Sequence, residues 1–332
     1  MPLLTIMTVL PSLTHSCAYC PKTTQLNICS KCKVVQYCGR DHQAADWPIH
    51  KALCKKIGKY KAELQAERDE EAMFSSLAGR LDPALVKHCK GGDVDVLLKL
   101  ATAELELDTR LAVQSALGHV LAMTRNAKTS MLGTADLPIA CFLRLGQDQE
   151  AYDYMKWWIT TPETLLRPPK QPYTAVKNED GLESVDVFMG RCPSIAFMAA
   201  LTLFKLRLLM DLQAIQRSRQ AVSSDLPQEL LDEIRKNMVS SAITIDLIER
   251  DNHEEAISGL AKDIKTLYGA IRISNKQLWP GILHPTDDLI MNENIWGEES
   301  KREHGLALKH TYKAWVETPG AVDAIKALSK DY

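Results

Sequence analysis

The chain has 332 residues, a mass of 37.1 kDa and 45% hydrophobic residues, which suffices for one large or two medium cores and excludes disorder throughout. Its 40 basic and 42 acidic residues nearly balance, so neither a globally basic nucleic-acid binder nor a polyanionic tail protein is expected. No run of about 18 uncharged apolar residues occurs, and we therefore expect no membrane-spanning helix.

The nine cysteines are distributed unevenly. Six lie between Cys17 and Cys54, and the other three are scattered over the rest of the chain at Cys89, Cys141 and Cys192. The apolar N-terminus carries no basic residue, so a secretory signal is not expected. An odd, clustered set of cysteines in an unsecreted chain is not typical of a disulfide framework. We expect reduced thiols that bind metal, in an intracellular protein of the cytoplasm or nucleus.

The succession of segments along the chain predicts a small cysteine-rich module followed by a mostly α-helical region. Residues 1–16 form an apolar tail, 17–54 a Cys/His module, 55–78 a charged connecting helix and 79–332 an all-α helical domain. Helices are predicted at 93–103, 106–122, 147–158, 195–210, 228–238, 240–249 and 254–268, the fifth of these (228–238) after the start signal Asp225 and Pro227. Residues 195–210 are apolar nearly all round, which is typical of a central buried helix. Irregular stretches are expected at 160–186 and 275–299.

Four pairs of candidate metal ligands occupy the module. They are Cys17 with Cys20, Cys29 with Cys32, Cys38 with His42, and His50 with Cys54. The first two pairs have the spacing of a zinc knuckle, and the last two have the i, i+4 spacing of one helix face, with Asp46 and Pro48 as start residues for the helix that carries His50.

Eight ligands are the number that two closed tetrahedral sites need, and thiolate with imidazole favours zinc. No coordination position is left open, so two structural Zn²⁺ ions are predicted rather than a catalytic metal. Spacing alone leaves three ways of combining the four pairs into two sites.

The string CAYCPKTTQLNICSKCKVVQYCGRDHQAADWPIHKALC resembles a MYND-type zinc finger over nearly all of residues 17–54. The resemblance implies interleaved sites. One zinc would be bound by Cys17, Cys20, Cys38 and His42, and the other by Cys29, Cys32, His50 and Cys54. The family usually has cysteine where this chain has His42, and histidine is also a competent zinc ligand.

The same resemblance implies a protein-interaction role, because MYND fingers are typically interaction modules and several bind short proline-containing peptides beside the second zinc site. The matching positions here are Gln43 and Trp47. A half-exposed tryptophan offers apolar area to a proline ring, and glutamine can hydrogen-bond an extended backbone. The alternative is that Trp47 packs the finger against the helical body. We expect an adaptor with a protein or peptide partner, and neither a membrane nor a nucleic-acid partner.

The helical body carries no recognisable catalytic motif, so we predict that the protein is not an enzyme. HExxH, GxSxG, GxGxxG and Walker A patterns are missing, as are the Asn-His-Ser-Cys segment and β-rich domain of the SET methyltransferases that carry MYND fingers. Residues 145–158 are similar to segments of uncharacterised fungal MYND-finger proteins, which brings no known activity. An unrecognised active site in the body remains one alternative.

A nucleic-acid-binding regulator is the other alternative, because the positive charge is concentrated in the N-terminal part. Residues 1–60 carry a net charge of +6, and the remaining 272 residues therefore carry −8. The basic run from Lys51 to Lys59 could contact acidic partners or nucleic acid. A solvated helix face is the simpler interpretation of this run.

Overall fold

The computed structural model describes residues 13–77, 93–124, 135–161, 172–221, 229, 238–242, 247–248, 250, 252–285 and 299–330. These residues belong to two compact units, the finger unit (13–77 and 93–124) and the helical unit (from 135 onward). Ten α-helices and one two-stranded sheet make up the regular structure of the described residues, which confirms the mostly α fold class. None of the described helices combines the length and apolarity needed to cross a membrane.

The finger unit begins with the only strands of the described residues, β1 (Asn27–Ile28) and β2 (Gln36–Tyr37). They are antiparallel, with Asn27 opposite Tyr37 and Ile28 opposite Gln36. Three helices follow, namely α1 (Arg40–Leu77), α2 (Asp93–Leu105) and α3 (Arg110–Thr124). Helix α2 packs against both α1 and α3, so the cysteine-rich segment and three helices share one unit.

Helix α1 begins earlier than the sequence predicts and runs without a break through the charged segment. The amide of Gln43 donates to the carbonyl of Gly39, and Pro48 lies inside the helix. The predicted start at Asp46 and Pro48 is therefore wrong. A proline in a helix removes one backbone hydrogen bond and crowds the preceding turn, and this is tolerated here because Pro48 lies on the exposed side, where water reaches the freed carbonyl.

The helical unit is organised around a long central helix. Its helices are α4 (Asp136–Arg144), α5 (Asp148–Thr160), α6 (Ile195–Ala221), α7 (Glu254–Ser274), α8 (Leu278–Leu283), α9 (Glu299–Glu317) and α10 (Ala321–Leu328). Helix α6 packs against α4, α5, α7, α9 and α10. Residues 195–208 are all buried except Met198, as expected for a helix that is apolar nearly all round.

Buried ion pairs neutralise the charged side chains of this core. The Nζ of Lys205 on α6 lies 3.0 Å from the Oδ2 of Asp263 on α7, and the Nη1 of Arg207 lies 2.9 Å from the Oδ1 of Asp148 on α5. Since a charge is expensive to bury unless it is paired and hydrogen-bonded, these contacts specify which helices α6 meets.

Several helix boundaries differ from the predictions. Residues 240–242 form a turn and not the start of a helix, because the buried carboxylate of Asp211 accepts hydrogen bonds from the amides of Val239 and Ser240. Helix α4 was not predicted, and α8 lies within a stretch expected to be irregular. Two short 3-10 turns, Tyr173–Ala175 and Val185–Val187, interrupt the irregular segment before α6. Most of the predicted helix 228–238, residues 1–12 and Cys89 lie outside the described residues.

Candidate functional site

The first metal-ligand cluster combines three sulfurs with one imidazole nitrogen. Cys17 and Cys20 come from the first knuckle, Cys38 follows β2, and His42 lies in the first turn of α1. The Nδ1 atom of His42 lies 3.6 Å from the Sγ of Cys17 and 3.1 Å from that of Cys38, and the Sγ atoms of Cys20 and Cys38 are 3.7 Å apart. Cys38 precedes α1, so this pair meets at a helix start and not on one helix face as its spacing suggested.

The second cluster is fully buried and is formed by Cys29, Cys32, His50 and Cys54. The Sγ atoms of Cys29 and Cys54 are 3.8 Å apart, and the Nε2 atom of His50 lies 3.5 Å from the Sγ of Cys32. Because of this contact, Nε2 is the nitrogen that faces the cluster, and the Nδ1 atom of His50 is buried without a hydrogen-bond partner among the described residues. His50 and Cys54 project from one face of α1, as their spacing predicts.

Both clusters fit tetrahedral zinc. With Zn–S near 2.3 Å and Zn–N near 2.05 Å, ligands on one tetrahedral zinc are about 3.8 Å apart between sulfurs and about 3.6 Å apart between sulfur and nitrogen. Four of the five separations given above, at 3.5–3.8 Å, fall close to those values, and the fifth, 3.1 Å between the Sγ of Cys38 and the Nδ1 of His42, is shorter. Within each cluster all four ligand atoms lie within 4.8 Å of one another. Residues 17–54 thus supply two Cys₃His metal-binding sets for two Zn²⁺ ions, and the two sets interleave along the chain.

The electrostatics of the thiols point to the same cation. Burial acts to raise the pKa of Cys17, but hydrogen bonds from the backbone of Tyr19 and Cys38 outweigh it and lower the pKa to about 6. In the same cluster, burial and the neighbouring thiols raise the pKa of Cys38 to about 11. Three thiolates cannot share so small a volume unless a positive ion neutralises them. A bound Zn²⁺ supplies that charge and displaces the remaining thiol protons.

The second cluster shows the same division between one acidic thiol and its neighbours. Burial acts to raise the pKa of Cys29, while hydrogen bonds from the backbone of Cys32 and from His50 lower it to about 6. Burial raises the pKa of Cys32 to about 12 and also raises that of Cys54. The knuckle is therefore preorganised for one thiolate, and the metal is needed to ionise the other two thiols.

Backbone hydrogen bonds shape the knuckle of the second cluster. The amide of Cys29 donates to the carbonyl of Val35 at 2.8 Å, and the amide of Lys33 donates to the carbonyl of Cys29 at 3.0 Å. Lys33, which directly follows Cys32, has a positive φ of 62°, and this lets the chain turn back on itself after the second ligand of the knuckle. The side chain of Tyr37 is buried and donates to Asp46 at 2.6 Å, which joins β2 to α1.

Side chains of the helices hold this knuckle from outside. The Nζ of Lys61 donates to the carbonyl of Cys32 at 2.6 Å, and the hydroxyl of Thr109 donates to the carbonyl of Val34 at 2.6 Å. Sequence reasoning did not single out either residue. Helical spacing could have pointed to Lys61, because position 61 belongs to the same face of α1 as the buried residues Cys54, Ile57 and Leu64.

The two residues predicted to contact a peptide both lie on α1 near the second cluster. Trp47 is 37% exposed, and its ring lies 6.2 Å from the ring of His50, centroid to centroid. Gln43 lies one turn earlier and is partly exposed. The next two residues are also at the surface, with Pro48 exposed and Ile49 82% exposed. The finger thus presents an apolar turn directly over one of its metal ligands.

The helical unit contains a cavity of about 590 Å³ with several polar residues in its wall. Its wall includes Asp153 and Asn178, and both oxygens of Asp153 are occupied by hydrogen bonds from the backbone amides of Asn178 and Glu179 at 2.9 Å. The side chain of Gln149 donates to the same carboxylate. The carboxylate of Asp153 therefore holds the 178–179 loop in place.

Residues 17–54 match the family model of the MYND finger. This segment is a MYND finger. The match agrees with the geometry, since the residues that gather in the structure are the eight ligands that the resemblance assigns to two zinc sites. MYND fingers are protein-interaction modules, and this finger gives the chain such a module.

The curated relatives share the MYND finger with this chain and little else. The finger is similar to the Rho GTPase-activating protein gacZ of Dictyostelium discoideum, with 42% identity over 43 residues, which is 13% of this chain and 4% of that protein. It is also similar to the zinc finger MYND domain-containing protein 10 homolog of Drosophila melanogaster, with 48% identity over 42 residues, or 13% and 9% of the two chains.

A third relative is the SET domain and MYND-type zinc finger protein 6 of Schizosaccharomyces pombe, with 38% identity over 47 residues, or 14% of this chain and 10% of that protein. The chain thus spans a tenth or less of the length of these relatives. No solved structure matches it. The names of the relatives therefore describe those proteins and leave the helical unit unassigned.

Proposed function

We propose that this protein is an intracellular, non-enzymatic adaptor whose MYND finger recruits proline-containing peptide segments of partner proteins. Gln43 and Trp47 would form the recruiting surface. The observation that carries the proposal is the exposed ring of Trp47, which is held against His50 beside the second metal cluster. A finger whose metals are fully coordinated by protein offers no open position for catalysis, and this favours a role in binding.

The surface suits a proline-rich segment for physical reasons. A polyproline II segment is already extended and loses little conformational entropy on binding. Trp47 is likewise preorganised, since it rests on His50, a residue of the buried metal cluster. Gln43 lies four residues earlier on the same face of α1, where its amide group can hydrogen-bond the backbone of a segment that crosses the tryptophan.

The helical unit would then act as a scaffold or provide a second binding surface. In the wall of its cavity the carboxylate of Asp153 is already engaged by backbone amides of the neighbouring loop. The basic charge of the chain is concentrated in residues 1–60, which carry +6, whereas residues 61–332 carry −8. Both features favour recruitment of a protein over catalysis or binding of a nucleic acid along the whole molecule.

An array of proline-containing peptides, probed with the purified zinc-loaded full chain, tests the proposal. We expect a subset of peptides to bind the wild type, and Trp47→Ala and Gln43→Ala to lose that binding. Met73→Ala is a matched control, because Met73 is exposed on the same helix away from this surface. Zinc content is measured for each variant to show that the finger is intact. Binding that is unchanged in Trp47→Ala, or an array without any proline-dependent signal, would contradict the proposal.

A further inference from the structure

The peptide surface continues along α1 as a row of lysines. Gln43, Trp47, Lys51, Lys55 and Lys59 follow one another at intervals of four residues, so they form one ridge of the helix surface. Lys51, Lys55 and Lys59 are all exposed. A ligand that lies over Trp47 and follows the helix therefore meets positive charge at each successive turn.

A fourth lysine from the knuckle joins this ridge. Lys31 lies between two ligands of the second cluster, and its side chain crosses α1 at Gly58. A Cβ atom at position 58 would come within 2.8 Å of the Cε of Lys31, so the glycine provides the space for this close approach. Gly58 is the neighbour of Lys59 and lies one turn from Lys55, which places the stem of Lys31 beside both residues.

These four lysines are not neutralised by the described residues. No hydrogen bond or ion pair joins the side chain of Lys31, Lys51, Lys55 or Lys59 to any other described side chain. Two lysines on other faces of α1 behave differently, since Lys56 pairs with Glu106 at 2.7 Å and Lys61 pairs with Glu104 at 3.1 Å. The charges on the ridge are thus available to a partner, whereas Lys56 is paired at the surface and Lys61 is paired with the buried Glu104.

We propose that the peptide recruited by this finger carries an acidic segment next to its proline core, and that this segment lies along the lysine ridge. The inference rests on the proposed function and adds the chemistry of the flank. The occupant is a protein segment with carboxylate side chains. Lysine ammonium groups on flexible stems suit such a segment because each can follow a carboxylate independently.

The length of the acidic segment follows from the geometry of the helix. Trp47 and Lys59 are twelve residues apart in α1, which corresponds to about 18 Å along the axis. An extended peptide covers about 3.3 Å per residue, so five or six residues span that distance. Carboxylates within about six residues of the proline core would face the lysines, and more distant ones would not.

Other features of the ridge favour a peptide over a nucleic acid. The ridge contains no arginine, the residue that binds phosphate through paired hydrogen bonds. It also begins at an exposed apolar turn, Trp47 to Ile49, which suits a protein segment that combines apolar and acidic residues. The −8 charge of the residues after position 60 would moreover repel a long polyanion that extended beyond the ridge.

The test is a peptide array in which each proline core is made with three flanks, of five glutamates, five glutamines or five lysines. The zinc-loaded full chain is the probe, and fluorescence anisotropy then measures the affinity of the best core with each flank at about 50 mM and about 300 mM salt. At low salt we expect the glutamate flank to bind about tenfold tighter than the glutamine flank, as three or four exposed ion pairs allow, with most of this advantage lost at high salt.

Lys55→Gln/Lys59→Gln should remove the advantage of the glutamate flank and leave the affinity for the glutamine-flanked peptide unchanged. The matched control is Lys262→Gln/Lys265→Gln, which changes the charge equally at two exposed lysines of α7 and should leave the advantage intact. Equal affinity for the glutamate and glutamine flanks would overturn the inference alone. A lack of binding of every proline core, whatever its flank, would overturn the proposed function.

Two further outcomes would assign the ridge to another occupant and overturn the inference. One is tighter binding of a twelve-nucleotide oligouridylate than of the glutamate-flanked peptide, lost in Lys55→Gln/Lys59→Gln. The other is dimerisation of the free protein in sedimentation experiments, abolished by the same variant, which would assign the ridge to the acidic residues of a second copy.

Discussion

Lys61 joins a metal ligand to the helices of the finger unit. Its Nζ donates to the carbonyl oxygen of Cys32 at 2.6 Å and lies 3.1 Å from a carboxylate oxygen of Glu104, whose side chain is fully buried. The knuckle of the second cluster is therefore connected through a lysine of α1 to a carboxylate of α2. This contact makes the order of the second metal site depend on residues far outside the zinc finger sequence.

Replacement of Lys61 by methionine is expected to destabilise the finger unit by about 2–3 kcal/mol, because the carbonyl of Cys32 loses its donor and Glu104 is left as a buried, weakly compensated charge. Urea denaturation of the zinc-loaded protein measures this change, and competition with a chelator should show that one of the two zinc ions is bound more weakly. Lys61→Met/Glu104→Gln removes the uncompensated charge and should recover part of the loss. A double variant that is no more stable than the single variant would contradict this account of the contact.

The interleaved assignment of the ligands predicts how paired cysteine variants lose zinc. Cys17→Ser/Cys38→Ser and Cys29→Ser/Cys54→Ser each damage one cluster, so each should retain one zinc ion, whereas Cys17→Ser/Cys29→Ser damages both clusters and should retain none. Elemental analysis of the three purified proteins gives the answer. Retention of one zinc by Cys17→Ser/Cys29→Ser would show that these two cysteines share a site and that the clusters are not interleaved.

Trp47 is expected to report on the metal through its fluorescence. It is the only tryptophan among residues 1–131, and its ring lies 6.2 Å from that of His50. Removal of zinc frees His50 and disorders the finger, so the emission of Trp47 should shift to longer wavelength. The control is Trp47→Phe, in which chelation should leave the emission of the other tryptophans unchanged. An identical spectral change in this variant would place the metal-dependent region elsewhere.

Arg144 and Glu317 form a buried ion pair that is expected to determine the stability of the helical unit. The guanidinium makes three hydrogen bonds to the carboxylate at 2.7–3.1 Å, and both side chains are at least 96% buried. Arg144→Met should therefore cost about 3–5 kcal/mol, because it leaves a buried carboxylate uncompensated. Urea denaturation, followed by tryptophan fluorescence in a Trp47→Phe background, isolates the helical unit.

The double variant Arg144→Met/Glu317→Leu is the control for this pair, since it removes both charges and should regain most of the lost stability. Both variants should still bind two zinc ions. Loss of zinc in Arg144→Met, or no loss of stability, would run against this interpretation.

Asp211 predicts a pH dependence of the helical unit. Burial raises its pKa to about 6, although the amides of Val239 and Ser240 donate to its two oxygens and act in the opposite direction. An unfolded aspartate has a pKa near 3.9, so between pH 4 and 6 the native state holds a proton that the unfolded state has released. The contribution of Asp211 to stability therefore falls as the pH rises through this interval.

Asp211→Asn removes that titration. The difference in unfolding free energy, wild type minus Asp211→Asn, should be largest near pH 4. It should fall by up to about 3 kcal/mol by pH 7. Urea denaturation at several pH values in the Trp47→Phe background measures it. A difference that stays constant or rises with pH would refute the assignment of the proton to Asp211.

The metal chemistry was predictable because ligand identity and spacing are written directly in the sequence. The combination of His50 with Cys54 follows from helical periodicity, but spacing left the grouping of the pairs open, and it was the resemblance to MYND fingers that implied the grouping seen in the structure. The central position of residues 195–208 was likewise predictable, because a helix that is apolar nearly all round has to be buried.

Features that depend on tertiary contacts were not predictable. The position of Pro48 inside α1 depends on the exposure of that turn, and the turn at residues 240–242 depends on the distant carboxylate of Asp211. The strands β1 and β2 are too short for an alternating pattern to show. The support that Lys61 gives to Cys32 depends on a carbonyl group, which has no signature in the sequence.

The content of bound metal in the native protein tests the central claim most directly. Elemental analysis of the full chain, purified under reducing conditions without added metal, should find two zinc ions per chain, because eight ligands gather into two sets that each match a tetrahedral site. A content clearly below two, or two ions of a metal other than zinc, would contradict the account of the finger and of the surface built upon it.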